Sequence, residues 1–153
     1  MKINFTKYEG NGNDFIIIDD RKEEFSEDNV LMISKLCDRK FGIGADGLIL
    51  LRKHKAHDFQ MIYFNSDGNE SSMCGNGGRC LVSYALKLDI DLKTNSFLAI
   101  DGVHKFKVVD NEIYLKMNDV KDIVVKNGYN FLNTGSPHVV QIVENVDEIN
   151  VYE

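Results

Sequence analysis

Apolar and polar positions change rhythm several times along the chain, and each rhythm predicts an element. Ile3 to Tyr8 alternates as a strand does, Gly10-Asn11-Gly12-Asn13 breaks the pattern, and Phe15 to Ile18 is an unbroken apolar run that predicts a buried strand. From Val30 to Cys37 the spacing becomes helical. Val30, Leu31, Ile33, Leu36 and Cys37 fall on one broad face, Ser26-Glu27-Asp28-Asn29 supplies the start signal, and the helix stops near Gly42. After the turn Gly44-Ala45-Asp46-Gly47, strands are expected at Leu48 to Arg52 and Phe59 to Phe64, with a polar loop carrying His54 and His57 between them. Asn65-Ser66-Asp67-Gly68 is a strong turn signal. A second helix follows from Asn76 to Leu88, its stripe made by Leu81, Tyr84, Ala85 and Leu88. Beyond it lie short strands at Phe97 to Ile100, Lys105 to Val109, Ile113 to Met117 and Val139 to Val143, with turns at Asp101-Gly102, Asp110-Asn111 and Asn127-Gly128. The pattern predicts an α+β fold, a curved, antiparallel-rich mixed sheet packed around one main helix.

Composition narrows the class. At 153 residues and 43% apolar, the chain has the length of one domain and enough apolar material for a core. No apolar run approaches the roughly 20 residues that span a bilayer, and Met1-Lys2-Ile3-Asn4-Phe5 does not begin a signal peptide. No membrane association is expected, and the expected location is the cytoplasm. There an odd count of three cysteines reads as free thiols. A net charge of −6 without any basic cluster argues against nucleic acid as a partner.

The informative stretch is Cys74-Gly75-Asn76-Gly77-Gly78-Arg79-Cys80, where three glycines and an asparagine open a helix. Glycine lets the backbone come close to a ligand, and the unpaired N–H groups of a first helical turn favour an anion such as a carboxylate. The same field favours the thiolate of a cysteine placed at that end, which makes Cys74 a candidate base or nucleophile. Cys37 and Cys80 fall on apolar helix faces and read as core. With no CxxC and no nearby histidine pair, a zinc site is not expected, and the glycines lack the lysine followed by Ser or Thr that completes a phosphate loop. Gly10 to Phe15 and Phe64 to Gly68 place Asn13 and Asn65 where strands meet loops, as neutral amides able to take carboxylate and ammonium groups, although asparagines in turns more often serve the backbone.

Taken together, Gly12-Asn13-Asp14-Phe15, Gly44-Ala45-Asp46-Gly47, Tyr63-Phe64-Asn65-Ser66-Asp67-Gly68, Met73 to Cys80 and Gly135-Ser136-Pro137-His138 resemble the diaminopimelate epimerase family, from residue 3 to the end of the chain. The resemblance implies an isomerase that interconverts LL- and meso-diaminopimelate without pyridoxal phosphate or any other cofactor, in lysine and peptidoglycan precursor biosynthesis. It makes Cys74 one of two thiols that take and return the Cα proton, and assigns the substrate's amino and carboxylate groups to Asn13, Asn65, Gly75 and Asn76. His138 matches a histidine that bonds this thiol and tunes its protonation. Ser136 stands where many members carry a substrate-binding asparagine, and Gly47 where some carry glutamine.

The resemblance also implies a fold of two similar lobes. Residues 1 to 117 would form the first, diaminopimelate epimerase-like lobe, and 118 to 153 the beginning of a truncated second. The family's second Cys-Gly motif is absent from these 153 residues, so one thiol and no activity of the isolated chain are expected, with a homodimer as the full-length form. Two alternatives stay open: a catalytically silent carboxylate-binding module of the same fold, and an epimerase relative acting on another amino acid.

Overall fold

The computed structural model describes residues 2–26 and 28–150, so Glu27 of the expected helix start lies outside the described residues. The chain divides into two compact units, Met1–Met117 and Asn118–Glu153. In the first, seven strands pair in the order of the chain: β1 (Thr6–Gly10), β2 (Asn13–Asp19), β3 (Gly47–Arg52), β4 (Phe59–Asn65), β5 (Ser96–Ala99), β6 (Gly102–Val109) and β7 (Glu112–Leu115). The β2–β3 and β4–β5 pairs are parallel and the rest antiparallel. Each parallel pair requires a crossover, and the helices α1 (Val30–Cys37) and α2 (Gly75–Lys87) provide them.

Alternate residues of the central strands serve opposite faces. Phe15, Ile17, Ile49, Leu51, Met61 and Tyr63 pack with α2, while Ile16, Ile18, Leu48, Leu50, Ile62 and Phe64 pack with Ile33 and Cys37 of α1. A strand covered on both sides has no polar face, and this is why β2, β3 and β4 read as unbroken apolar runs. Leu81 of α2 is fully buried, which contributes about 1.5–3 kcal/mol of transfer free energy. The helix also meets both β1 and β7, the two edges of the sheet. The sheet is therefore curled into a half-barrel about α2, as the pattern predicted, with α1 added on its outer face.

Local chemistry fixes the ends of these elements. Asn29 caps α1, its side-chain oxygen accepting the Met32 N–H at 3.0 Å. Past the last turn of α2, Asp89 takes a positive φ of 53°, and the Asp89 and Ile90 N–H groups bond back to Leu86 and Ala85, closing the helix. Asn11 and Gly12, at φ 55° and 82°, supply the two left-handed residues of a tight hairpin. The break expected over four residues is thus only two, and β1 lies later than expected, reaching Gly10.

The second unit differs from expectation. Its antiparallel sheet contains β8 (Lys121–Lys126), β9 (Tyr129–Asn133) and β10 (Pro137–Val140), in the order β10-β9-β8. Neither β8 nor β9 is foreseen by the pattern, and β10 starts before the predicted Val139 and ends at Val140. No described residue beyond 117 is buried, so apolar side chains here carry no interior signature. Among the described residues, no helix is long and apolar enough to cross a membrane.

Candidate active site

Cys74 is the residue that caps α2 at its N-terminal end, in extended backbone, without a hydrogen bond from its side chain to the helix. The first-turn N–H groups, which have no acceptor within the helix, are left beside it. It is also the only half-exposed thiol of the three. Cys37 and Cys80 are 3% and 5% exposed, and burial pushes both thiols up to about 11. This agrees with the reading of those two as core residues.

A chain of amides starts at this sulfur. Cys74 Sγ lies 3.8 Å from Asn13 Oδ1, which also accepts from Asn76 Nδ2 at 3.3 Å. Asn76 Oδ1 accepts from Asn11 Nδ2 at 3.3 Å and from the Arg79 guanidinium. At the other end, Asn13 Nδ2 donates to Asp46 Oδ2 at 3.0 Å. Asp46 and Asp14 share the Arg39 guanidinium at 2.9 and 2.7 Å, and Lys7 pairs with Asp14 at 2.7 Å. The Asp46 carboxyl is held below its usual range first by the Asn13 amide, then by the Asp14 N–H and Arg39. Asp14 is driven well below the carboxylate range, chiefly by Arg39 and next by Lys7, against the cost of burial.

The glycines of the motif have two different jobs. A Cβ on Gly77 would stand 3.0 Å from Ile49 Cδ1 and 3.3 Å from Met61 Cε, and one on Gly78 would stand 3.0 Å from Leu115 Cδ2. These two let the helix lie close on the sheet, a packing role that the sequence reading does not assign to them. Only Gly75 has ordinary space around it, with Met117 Sδ at 3.6 Å. Gly47 is a further close approach, since a Cβ there would sit 2.5 Å from the Phe64 carbonyl oxygen and 2.5 Å from the Tyr63 ring. Burial pushes the Tyr63 hydroxyl up to about 12, so the ring that fills this slot stays a neutral phenol.

Of the residues expected at the site, Cys74, Gly75, Asn76 and Asn13 are brought together. Asn65 ends β4 opposite Gly47, which pairs on its other side with Phe15, so Asn65 and Asn13 lie at the same end of the sheet. No hydrogen bond joins Asn65 to the amide chain among the described residues; its backbone closes the turn to Gly68 and Asn69. Ser136 and His138 belong to the second unit, where His138 Nδ1 is 2.7 Å from the Ser136 carbonyl oxygen and 3.2 Å from Thr134 Oγ1. The sequence reading misses Asp46, Arg39 and Arg79. Asp46 sits among turn residues, and its partners Asn13 and Asp14 lie more than thirty positions away, so only the parallel pairing of β2 and β3 discloses its place beside Asn13.

Comparison with known structures settles the class. A phenazine biosynthesis protein of the PhzF family from Bacillus anthracis matches with a TM-score of 0.64 at 19% identity, over 96% of this chain and 58% of that one. A hydroxyproline epimerase from Agrobacterium vitis matches at 0.57 and 12% identity, over 84% and 48%. At these identities the likeness is one of fold, and the fold is the one shared by the PhzF-family and hydroxyproline epimerase structures. The diaminopimelate epimerase model matches residues 5–121, and the chain belongs to the diaminopimelate epimerase family. The diaminopimelate epimerase of Flavobacterium psychrophilum is 53% identical over 146 residues, covering 95% of this chain and 57% of its relative. That of Chlorobaculum tepidum is 40% identical over 150 residues, covering 93% and 58%. The chain thus spans less than two thirds of the length of these relatives.

Proposed function

We propose that these residues supply one side of a cofactor-independent epimerase site, in which Cys74 exchanges the Cα proton of diaminopimelate between its LL and meso forms. The observation that carries this is a single half-exposed thiol at the N-terminal end of α2, beside the amides of Asn13 and Asn76. As the thiolate takes the proton, an S–H bond forms, the C–H bond breaks, and the electron pair passes into the carboxylate. With no pyridine ring to hold that charge, fixed donors around the carboxylate must do so. First-turn N–H groups from Gly75 and Asn76, with the amides of Asn13, Asn65 and Asn76, are such donors. Ser136 adds a weaker polar contact, and His138 tunes the thiol's protonation.

Inversion needs a second acid on the opposite face of the carbon. Cys37 and Cys80 are buried and cannot serve, so the second thiol comes from outside these 153 residues and the chain alone is inactive. The whole enzyme is then a cytoplasmic homodimer acting in lysine and peptidoglycan precursor supply. The test is wash-in of solvent deuterium at Cα of diaminopimelate, with this chain, with the carboxyl-terminal part of the Flavobacterium psychrophilum relative, and with both. Exchange is expected only with both, and is lost in Cys74→Ala. Exchange that survives Cys74→Ala refutes the assignment. Binding without exchange in every combination indicates a silent module, and exchange of another amino acid alone a different substrate.

A further inference from the structure

Asn13 and Asn76 are amides, and an amide can be turned end for end with almost no change in shape, exchanging donor for acceptor. What faces each end therefore decides what the site offers. The ionised Asp46 carboxylate only accepts. Its Oδ2 takes hydrogen bonds from Asn13 Nδ2 at 3.0 Å and the Asp14 N–H at 3.2 Å, and its Oδ1 takes one from Arg39 at 2.9 Å. The Asp46 N–H bonds in turn to Asp14 Oδ1 at 3.0 Å, so this carboxylate is itself held in place. Facing an acceptor, Asn13 must present its NH2, which aims its oxygen at Asn76 Nδ2 and Cys74 Sγ, 3.3 and 3.8 Å away. Asn76 then aims its own oxygen at Asn11 and at the Arg79 guanidinium, a group that only donates. Between an obligate acceptor and an obligate donor, the two amides have one arrangement that satisfies every atom. Reversing either sets donor against donor or acceptor against acceptor.

We propose that Asp46 is a positioning residue which, with Arg79 at the far end, locks the amides of Asn13 and Asn76 in one orientation, so that the Cys74 thiol meets a carbonyl oxygen. Each NH2 spends one N–H on the chain and keeps the other for a ligand, which gives the site spare donors for an amino-acid carboxylate. The identity of that ligand rests on the function proposed above; the lock itself does not.

Asparagine side-chain NMR on the whole chain tests the lock without substrate. In the wild type, the Asn13 Nδ2 proton bonded to Asp46 exchanges with solvent more slowly than its twin. Two protons exchanging alike would overturn the proposal. Asp46→Asn keeps the shape and removes the obligate acceptor, so the Asn13 amide is free to turn its NH2 toward the sulfur and favour the thiolate. Alkylation of Cys74 by iodoacetamide at neutral pH is then expected to accelerate on the order of fivefold, the equivalent of about one net hydrogen bond. A merely structural carboxylate would leave that rate unmoved, and an unchanged or slower rate in folded Asp46→Asn overturns the lock. If that variant does not fold, the wild-type measurement decides alone: Asn13 side-chain protons that exchange alike overturn the proposal. These readouts stand even if the Cα exchange assay fails, and their failure with exchange intact removes only the lock.

Discussion

Three cysteines in one chain occupy three environments, and their chemistry should separate accordingly. With Cys37 and Cys80 pushed up to about 11 by burial, iodoacetamide applied to the native protein near neutral pH is expected to label Cys74 alone, and all three after unfolding. Peptide mapping by mass spectrometry checks this; native labelling of Cys80 would show that α2 does not cover it. Asp14 makes a second prediction. Its carboxyl is held low by Arg39 and Lys7, so the stability it adds is complete above the unfolded value of about 3.9 and is lost as pH falls from there toward its folded value. The urea midpoint of the wild type should therefore drop between about pH 4 and pH 2 more steeply than that of Asp14→Asn. Cys74 stands out in the sequence because it opens a glycine-rich run at a helix start, while Cys37 and Cys80 read as core because they lie on apolar stripes, and both are buried. Asp46 could not, because turn chemistry accounts for an aspartate between Ala45 and Gly47 and nothing nearby announces Asn13 as its partner.

At the scale of elements, α2 is where packing and site meet. Replacing Gly77 by alanine gains about 1 kcal/mol of helix propensity, but sets a methyl 3.0 Å from the end of a fully buried Ile49, where overpacking costs about 1–3 kcal/mol. A net loss of stability is expected for Gly77→Ala and none for Gly75→Ala, whose added methyl meets only ordinary contacts. Thermal melts of the two variants decide it, and equal melting temperatures would refute the packing role. Leu81→Ala, at a fully buried position, should cost about 2–5 kcal/mol in denaturant unfolding. The span of α1 matches its sequence pattern from Val30 to Cys37, because one broad apolar face and the asparagine cap agree. β8 and β9 had no such agreement. Val124 and Val125 are 57% and 70% exposed, so neither side of the strand has to be apolar and the period of two is lost, although the Asn127-Gly128 turn that joins the two strands is legible.

For the whole molecule, buried residues end with the first unit, and stability must be distributed in the same way. Amide hydrogen exchange should be slowest in β2, β3 and β4, which are covered on both faces, and faster by orders of magnitude across residues 121–140, where nothing is buried. Equal protection in both regions would contradict that distribution. The sheet order has a consequence for how the protein is made. Since every described strand pairs with its neighbours in the chain, each one after the first of its sheet leaves the ribosome to find a partner already synthesised. Asn13, Asp46, Cys74 and Asn76 all precede β5 in the chain, so the amide chain has its parts before the last three strands of the first unit are made.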